Sequence, residues 1–253
     1  MIETMTLLIG NWKMAPEKVE QAEKLAKDTL AIAKKHKKNV QFIVCPSFVH
    51  LGAVAKQTKT VLALGAQSVA GVVAPANTGL VSAPQLKGLG VQYVLVGHSE
   101  SRDRGDTNEL ILEQTTRLIE KKIIPIVCIG EKTRDAQGWY LGVVKDQLDG
   151  LLSSIPKAAF KNIIIAYEPI WAIGVNAERE ATPAECREMV IYIRKLISDV
   201  HGEKFAAAIS IVYGGSVNEH NARTFVTEGD VQGLLVGRVS LEPKRYELLA
   251  KSL

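Results

Sequence analysis

Cysteine is scarce in this chain: there are three in 253 residues. Cys45, Cys128 and Cys186 lie too far apart for a metal-ligand spacing, and their odd number argues against a disulfide framework, so a reducing cytoplasm is the expected setting. Long hydrophobic runs are missing too. No apolar stretch reaches the length that crosses a bilayer, and Glu3 stands where a basic leader would begin, so neither a membrane span nor a signal peptide is expected. No sign of charge dominates, with 31 Lys and Arg against 27 Asp and Glu, a net charge of +4. The one dense basic cluster, "KKHKK" at 34–38, falls at the end of an expected helix, where cations suit the dipole. It reads as a solvated helix end and not as a nucleic-acid patch, while the mild basicity slightly favours an anionic small molecule as partner. Linkers, low-complexity segments and composition shifts are also lacking, so residues 1–253 are expected to form a single domain.

What is present is an alternation repeated from end to end. Eight short apolar runs, "TLLIGNW", "VQFIVCP", "VLALGAQ", "YVLVGHS", "IPIVCIG", "NIIIAYE", "AISIVYGG" and "GLLVGR", are separated by longer amphipathic stretches. One of these, "PEKVEQAEKLAKDTLAIAKKH", spaces its apolar residues three and four apart, as a helix requires. Helix starts are marked by Thr182-Pro183-Ala184-Glu185, a capping box with proline at the first turn, and by Ser82 with Gln85. Eight βα units in this length close most naturally into an α/β single-domain (β/α)8 barrel, with a doubly wound open sheet as the alternative. A dinucleotide fold calls for G-x-G-x-x-G after the first strand, whereas "LLIG" runs straight into Asn11-Trp12-Lys13-Met14, which favours the barrel.

In a barrel, the side chains at the C-terminal ends of the strands converge on one face. Those ends carry Asn11 and Lys13, Ser47, Gln67, His98 with Ser99 and Glu100, Glu131, Glu168, and the turns Gly214-Gly215-Ser216 and Gly237-Arg238. A lysine, a histidine and a glutamate beside two glycine-bearing turns suit proton transfer next to a bound oxyanion. Taken singly, Lys13 fits a surface lysine as well as an anion clamp, and His98 fits a structural histidine as well as a shuttle. Glu168 is sharper, because an apolar strand precedes it and the apolar "PIWAIG" follows. A lid made of that segment would desolvate the carboxylate and raise its basicity toward a carbon-bound proton. Trp171, Ala172, Ile173 and Gly174 could instead be core or an ordinary turn. The turns after strands seven and eight stand where barrels often seat phosphate.

With "GNWKM" at 10–14, "VGHSE" at 96–100, "CIGE" at 128–131, "AYEPIWAIG" at 166–174 and "YGGSV" at 213–217, the chain closely resembles the triosephosphate isomerase family along nearly its whole length. The resemblance implies a TIM barrel that interconverts dihydroxyacetone phosphate and D-glyceraldehyde 3-phosphate in glycolysis and gluconeogenesis. Glu168 would be the base, and His98 a neutral imidazole polarising the substrate oxygens. Lys13 would add positive potential at the enediolate, Asn11 would hold the carbonyl and the lysine, and Glu100 would assist beside Lys13. Phosphate would lie against the backbone of Gly174, Ser216, Gly237 and Arg238. The family's chemistry needs no metal and no organic cofactor, and no nucleic-acid or membrane partner is implied. Another barrel acting on a phosphorylated sugar or an indole precursor would share the phosphate turns without needing this Lys, His and Glu set, and a binding barrel would need none of them.

Three departures from the family stand out. The segment "VNAERE" at 175–180, with Asn176 and Ala177, is longer than the usual compact hinge. Arg238 replaces the second glycine of the phosphate turn, which strains the site if glycine-only dihedrals are required there. Family members generally form homodimers, the loop at 68–82 reaching into the partner near Met14; here Leu80 and Ser101 stand where a glutamate and its arginine partner are usual. Losing both avoids an orphaned charge and predicts a more apolar dimer contact. Cys128 is expected to be an inert, packed thiol.

Overall fold

The computed structural model describes residues 5–58, 60–72, 76–174, 177 and 179–253. Eight parallel strands close into a barrel in chain order: β1 (Thr6–Asn11), β2 (Val40–Cys45), β3 (Leu62–Ala66), β4 (Tyr93–Val96), β5 (Ile124–Ile129), β6 (Ile164–Tyr167), β7 (Ser210–Tyr213) and β8 (Gly233–Val236). Closure is made by β8 against β1, where Leu7 faces Gly233 and Gly10 faces Val236. A side chain is excluded at Gly233, where a Cβ would come within 2.2 Å of the Leu7 carbonyl oxygen. The expected barrel is therefore the observed one, each strand ending one to three residues before its sequence run does.

Two cores follow from the period-2 alternation of strand side chains. Ile9, Ile43, Leu95, Ile126, Val212 and Leu235 fill the barrel interior together with Cys45 and Cys128. Their neighbours Leu8, Phe42, Val94 and Val127 face outward onto the helices and join a second, larger core. Each such buried aliphatic side chain contributes roughly 1.5–3 kcal/mol.

The helix signals are realised. The helix Val19–His36 buries Ala22, Leu25, Ala26, Ile32 and Ala33 on one face and ends with Lys34, Lys35 and His36, so the basic cluster is a helix end. Ser82 and Thr182 both form capping boxes, with Gln85 and Glu185 respectively. Among the described residues no helix is long and apolar enough to cross a membrane.

Candidate active site

At the C-terminal mouth of the barrel lies a cleft of about 600 Å³ that brings together Asn11, Lys13, His98, Glu168, Gly174, Ser216, Gly237 and Arg238. These are eight of the nine residues expected from the sequence. The ninth, Glu100, reaches the site through Lys13, whose Nζ donates to Glu100 Oε1 at 2.6 Å.

Lys13 has φ +53°, a left-handed conformation unusual for a side-chain-bearing residue. Both of its backbone polar atoms are gripped. Its N–H donates to Asn11 Oδ1 at 3.0 Å, and its carbonyl accepts from Gln67 Nε2 at 2.9 Å, while the same amide nitrogen also reaches the Cys45 carbonyl at 2.9 Å. The ends of β1, β2 and β3 thus hold the lysine in a position that it would not take alone. Partial desolvation of the exposed Glu100 works against its charge, but the Lys13 ammonium outweighs it and holds that carboxyl below the usual range.

His98 caps the short helix Ser99–Asp103, and its Nδ1 accepts the Glu100 backbone N–H at 3.2 Å. An accepting Nδ1 carries no proton, so the neutral ring bears its hydrogen on Nε2. That nitrogen faces Glu168 Oε1 at 3.3 Å. The other carboxylate oxygen, Oε2, accepts the Ser99 backbone N–H at 3.1 Å. Glu168 is 2% exposed, a buried carboxylate that the end of β6 delivers to the cleft. Its backbone N–H donates to the Ile129 carbonyl at 2.8 Å, so β5 fixes where the residue leaves the sheet.

Two glycines make that placement possible. A Cβ on Gly130 would lie 1.8 Å from the Glu168 carbonyl oxygen, and one on Gly214 would lie 2.9 Å from Glu168 Cγ. Neither glycine needs a positive φ; each is required by close approach.

The segment after Glu168 divides in two. Trp171 and Ala172 are buried in the outer core within the 3₁₀ turn Ile170–Ala172, whereas Gly174, with φ +82°, is exposed at the cleft. Trp171 is anchored by its Nε1, which donates to Glu131 Oε1 at 2.8 Å, and Ser216 Oγ donates to the Ala172 carbonyl at 2.8 Å. In the longer hinge, Val175, Asn176 and Glu178 lie outside the described residues. Arg179 sits over the Trp171 ring, 4.6 Å from its centroid, and forks onto Glu185.

Sequence reasoning set Glu131 among the strand-end residues without a role and gave no part to Arg102. Glu131 is fully buried at the end of β5 and accepts from both Tyr167 Oη and Trp171 Nε1 at 2.8 Å. Burial raises its pKa despite those two bonds. Arg102 donates to the carbonyls of Gly97 at 2.8 Å and Cys128 at 3.2 Å and to Asn108 Oδ1 at 2.7 Å, tying the end of β4 to β5 behind His98. Gly97, at φ +67°, leaves room for that guanidinium. The sequence signal for both was a charged residue flanking a strand-end motif, which names no partner. Cys128 is buried with its thiol pushed well up by burial and by the neighbouring Glu168 carboxylate, which fits an inert role. Among the described residues, no three His, Cys, Asp or Glu side chains gather closely enough to hold a metal ion.

Arg238 opens the 3₁₀ turn Arg238–Leu241 and is not among the residues with positive φ, so an arginine there meets no glycine-only dihedral.

The chain has relatives of known name in sequence. The triosephosphate isomerase family model matches residues 6–253. The triosephosphate isomerase of Alkaliphilus oremlandii is 36% identical over 248 residues, covering 95% of this chain and 96% of the relative. That of Mycoplasmoides gallisepticum is 37% identical over 242 residues, 94% of each chain, and that of Treponema pallidum 34% over 253, covering 97% and 98%. A barrel whose strand ends carry this lysine, histidine and glutamate, matched at such identity over nearly its full length, belongs to the triosephosphate isomerase family.

Proposed function

We propose that the chain interconverts dihydroxyacetone phosphate and D-glyceraldehyde 3-phosphate by moving a proton between adjacent carbons, a step of glycolysis and gluconeogenesis. The observation that carries this reading is the meeting of Glu168 and His98 at 3.3 Å in a cleft shared with Lys13. Glu168 leaves the Ser99 N–H, takes the proton from one carbon of the substrate and returns it to the next. The proton on His98 Nε2 faces the two substrate oxygens in turn, and Lys13, oriented by Asn11 and paired with Glu100, stabilises the enediolate charge between them. Gly174, Ser216, Gly237 and Arg238 line the same cleft and offer backbone donors to the phosphate. Anchored through Trp171, the segment ending at Gly174 excludes water from the intermediate and keeps it from losing phosphate. The adjacent carbonyl already activates the C–H bond, so these residues suffice without a cofactor.

The test is isomerisation of D-glyceraldehyde 3-phosphate, coupled to reduction of the ketone product. Glu168→Gln keeps the shape but removes the base, and kcat is expected to fall by about 10³-fold or more. Equal rates in the folded wild type and variant would remove Glu168 from the chemistry.

We also read the protein as a homodimer in the cytoplasm. Met14, Phe48, Val49, Val72 and Leu80 are exposed apolar side chains on the segments that follow β1, β2 and β3. Exposed apolar side chains on three consecutive connecting segments suit burial against a second copy. Ser101 is buried and its hydroxyl accepts from Arg104 at 2.9 Å, so no charge is left waiting there for a partner. Residues 73–75 of the loop at 68–82 lie outside the described residues. Three free, buried thiols fit a reducing compartment.

A further inference from the structure

Four cations line the active cleft: Lys13, Arg179, Arg238 and Arg245. Three of them are held by carboxylates. Lys13 is on Glu100, Arg179 on Glu185 and Arg245 on Glu219. Arg238 is different: among the described residues its side chain has no hydrogen-bonding or ion-pair partner. Glu242, the acid nearest to it in sequence on this wall of the cleft, is taken up by Arg245 at 3.4 Å.

Its position is equally specific. Arg238 is exposed and follows Gly237 directly at the end of β8, and a Cβ on Gly237 would meet Lys13 Cε at 3.6 Å. The unpaired guanidinium therefore stems from a part of the rim beside Lys13. A guanidinium presents a planar fork of N–H donors that matches phosphate oxygens two at a time. Left unpaired in a cleft, it keeps all of those donors for a ligand.

We propose that the Arg238 side chain is a phosphate anchor, adding a charged contact to the substrate's phosphate beyond any made by the backbone. This rests on the reading of the cleft as a triose phosphate site. Because the phosphate does not change charge as the proton moves, the contact is equally strong in substrate and transition state. It therefore lowers KM and leaves kcat to Glu168, His98 and Lys13. It also makes binding more sensitive to salt than backbone donors alone would.

The experiment pairs equilibrium titration of inorganic phosphate with steady-state kinetics on D-glyceraldehyde 3-phosphate, at low and high ionic strength, for wild type, Arg238→Gln and Arg238→Lys. Arg238→Gln is expected to weaken phosphate binding about tenfold and to raise KM by a similar factor at constant kcat, with a shallower salt dependence. Arg238→Lys recovers part of the affinity, since it restores the charge but not the fork. Unchanged phosphate affinity and KM in a folded Arg238→Gln protein would overturn the proposal, as would a fall in kcat at constant KM. If wild type binds phosphate but isomerises nothing, the functional reading fails, and the titration alone still decides the role of Arg238.

Discussion

Gly214 shows how little freedom a single position has beside the Glu168 carboxylate. A methyl group there would press on Glu168 Cγ at 2.9 Å and approach Oε1 at 3.5 Å. Gly142, in contrast, sits within the helix Trp139–Ser154 with nothing within 4 Å of an added Cβ. The two alanine variants should separate cleanly. Gly214→Ala is expected to cost about 1–3 kcal/mol by overpacking and to lower kcat about 10²-fold by displacing the carboxylate. Gly142→Ala should leave kcat alone and stabilise by about 0.4–1 kcal/mol, as it restricts the unfolded chain. Thermal melts and kcat for both variants check this, and a Gly214→Ala protein with wild-type kcat would show that the carboxylate tolerates the shift.

At the scale of elements, the helix Pro183–His201 follows the segment proposed as a lid. Its N-cap residue Thr182 and Glu185 satisfy one another's backbone N–H groups, and Glu185 also receives the Arg179 fork. The Arg179 contact chiefly, opposed by partial burial and helped by the Thr182 bonds, lowers the Glu185 pKa from 4.5 to about 2. A depressed folded-state pKa means that the interaction is fully present above pH 4.5 and is lost as the pH falls toward 2. Glu185→Ala should therefore cost roughly 1 kcal/mol at neutral pH. The gap between wild type and variant, followed by denaturant unfolding, should close across that acidic window; a pH-independent gap would assign the loss to packing instead.

Elements were also what the sequence expressed most clearly. All eight strands could be placed because each apolar run stops at a polar residue, a glycine or, after Cys45, a proline, and Asn11, Lys13, His98 and Glu168 were visible because they lie at those stops. Glu131 meeting Trp171, Arg102 meeting Cys128 and Gln67 meeting Lys13 were not visible. Each pairs residues from different strand ends, brought together by barrel closure and not by spacing along the chain. Even "PIWAIG", read as a lid, proved half core, because a tryptophan looks equally apolar in either role.

For the whole molecule, the exposed apolar side chains after β1, β2 and β3 are where the proposed dimer is tested. Met14 is 95% exposed and Leu80 53%. Sedimentation at micromolar concentration should show a dimer, and Leu80→Glu should weaken it by placing a lone carboxylate in an apolar contact. A profile that remains monomeric throughout would remove the homodimer reading. Because Met14 directly follows Lys13, loss of the dimer is also expected to lower activity on dilution.

The two concentric cores give the chain an internal gauge of its own integrity. Cys45 and Cys128 are sealed inside the barrel, while Cys186 lies in the surrounding layer, its thiol pushed up to about 12 mainly by burial. A reagent that attacks thiolates can reach none of them on the closed molecule. Modification of Cys186 therefore times the parting of a helix from the sheet, and modification of Cys45 or Cys128 times the opening of the barrel itself.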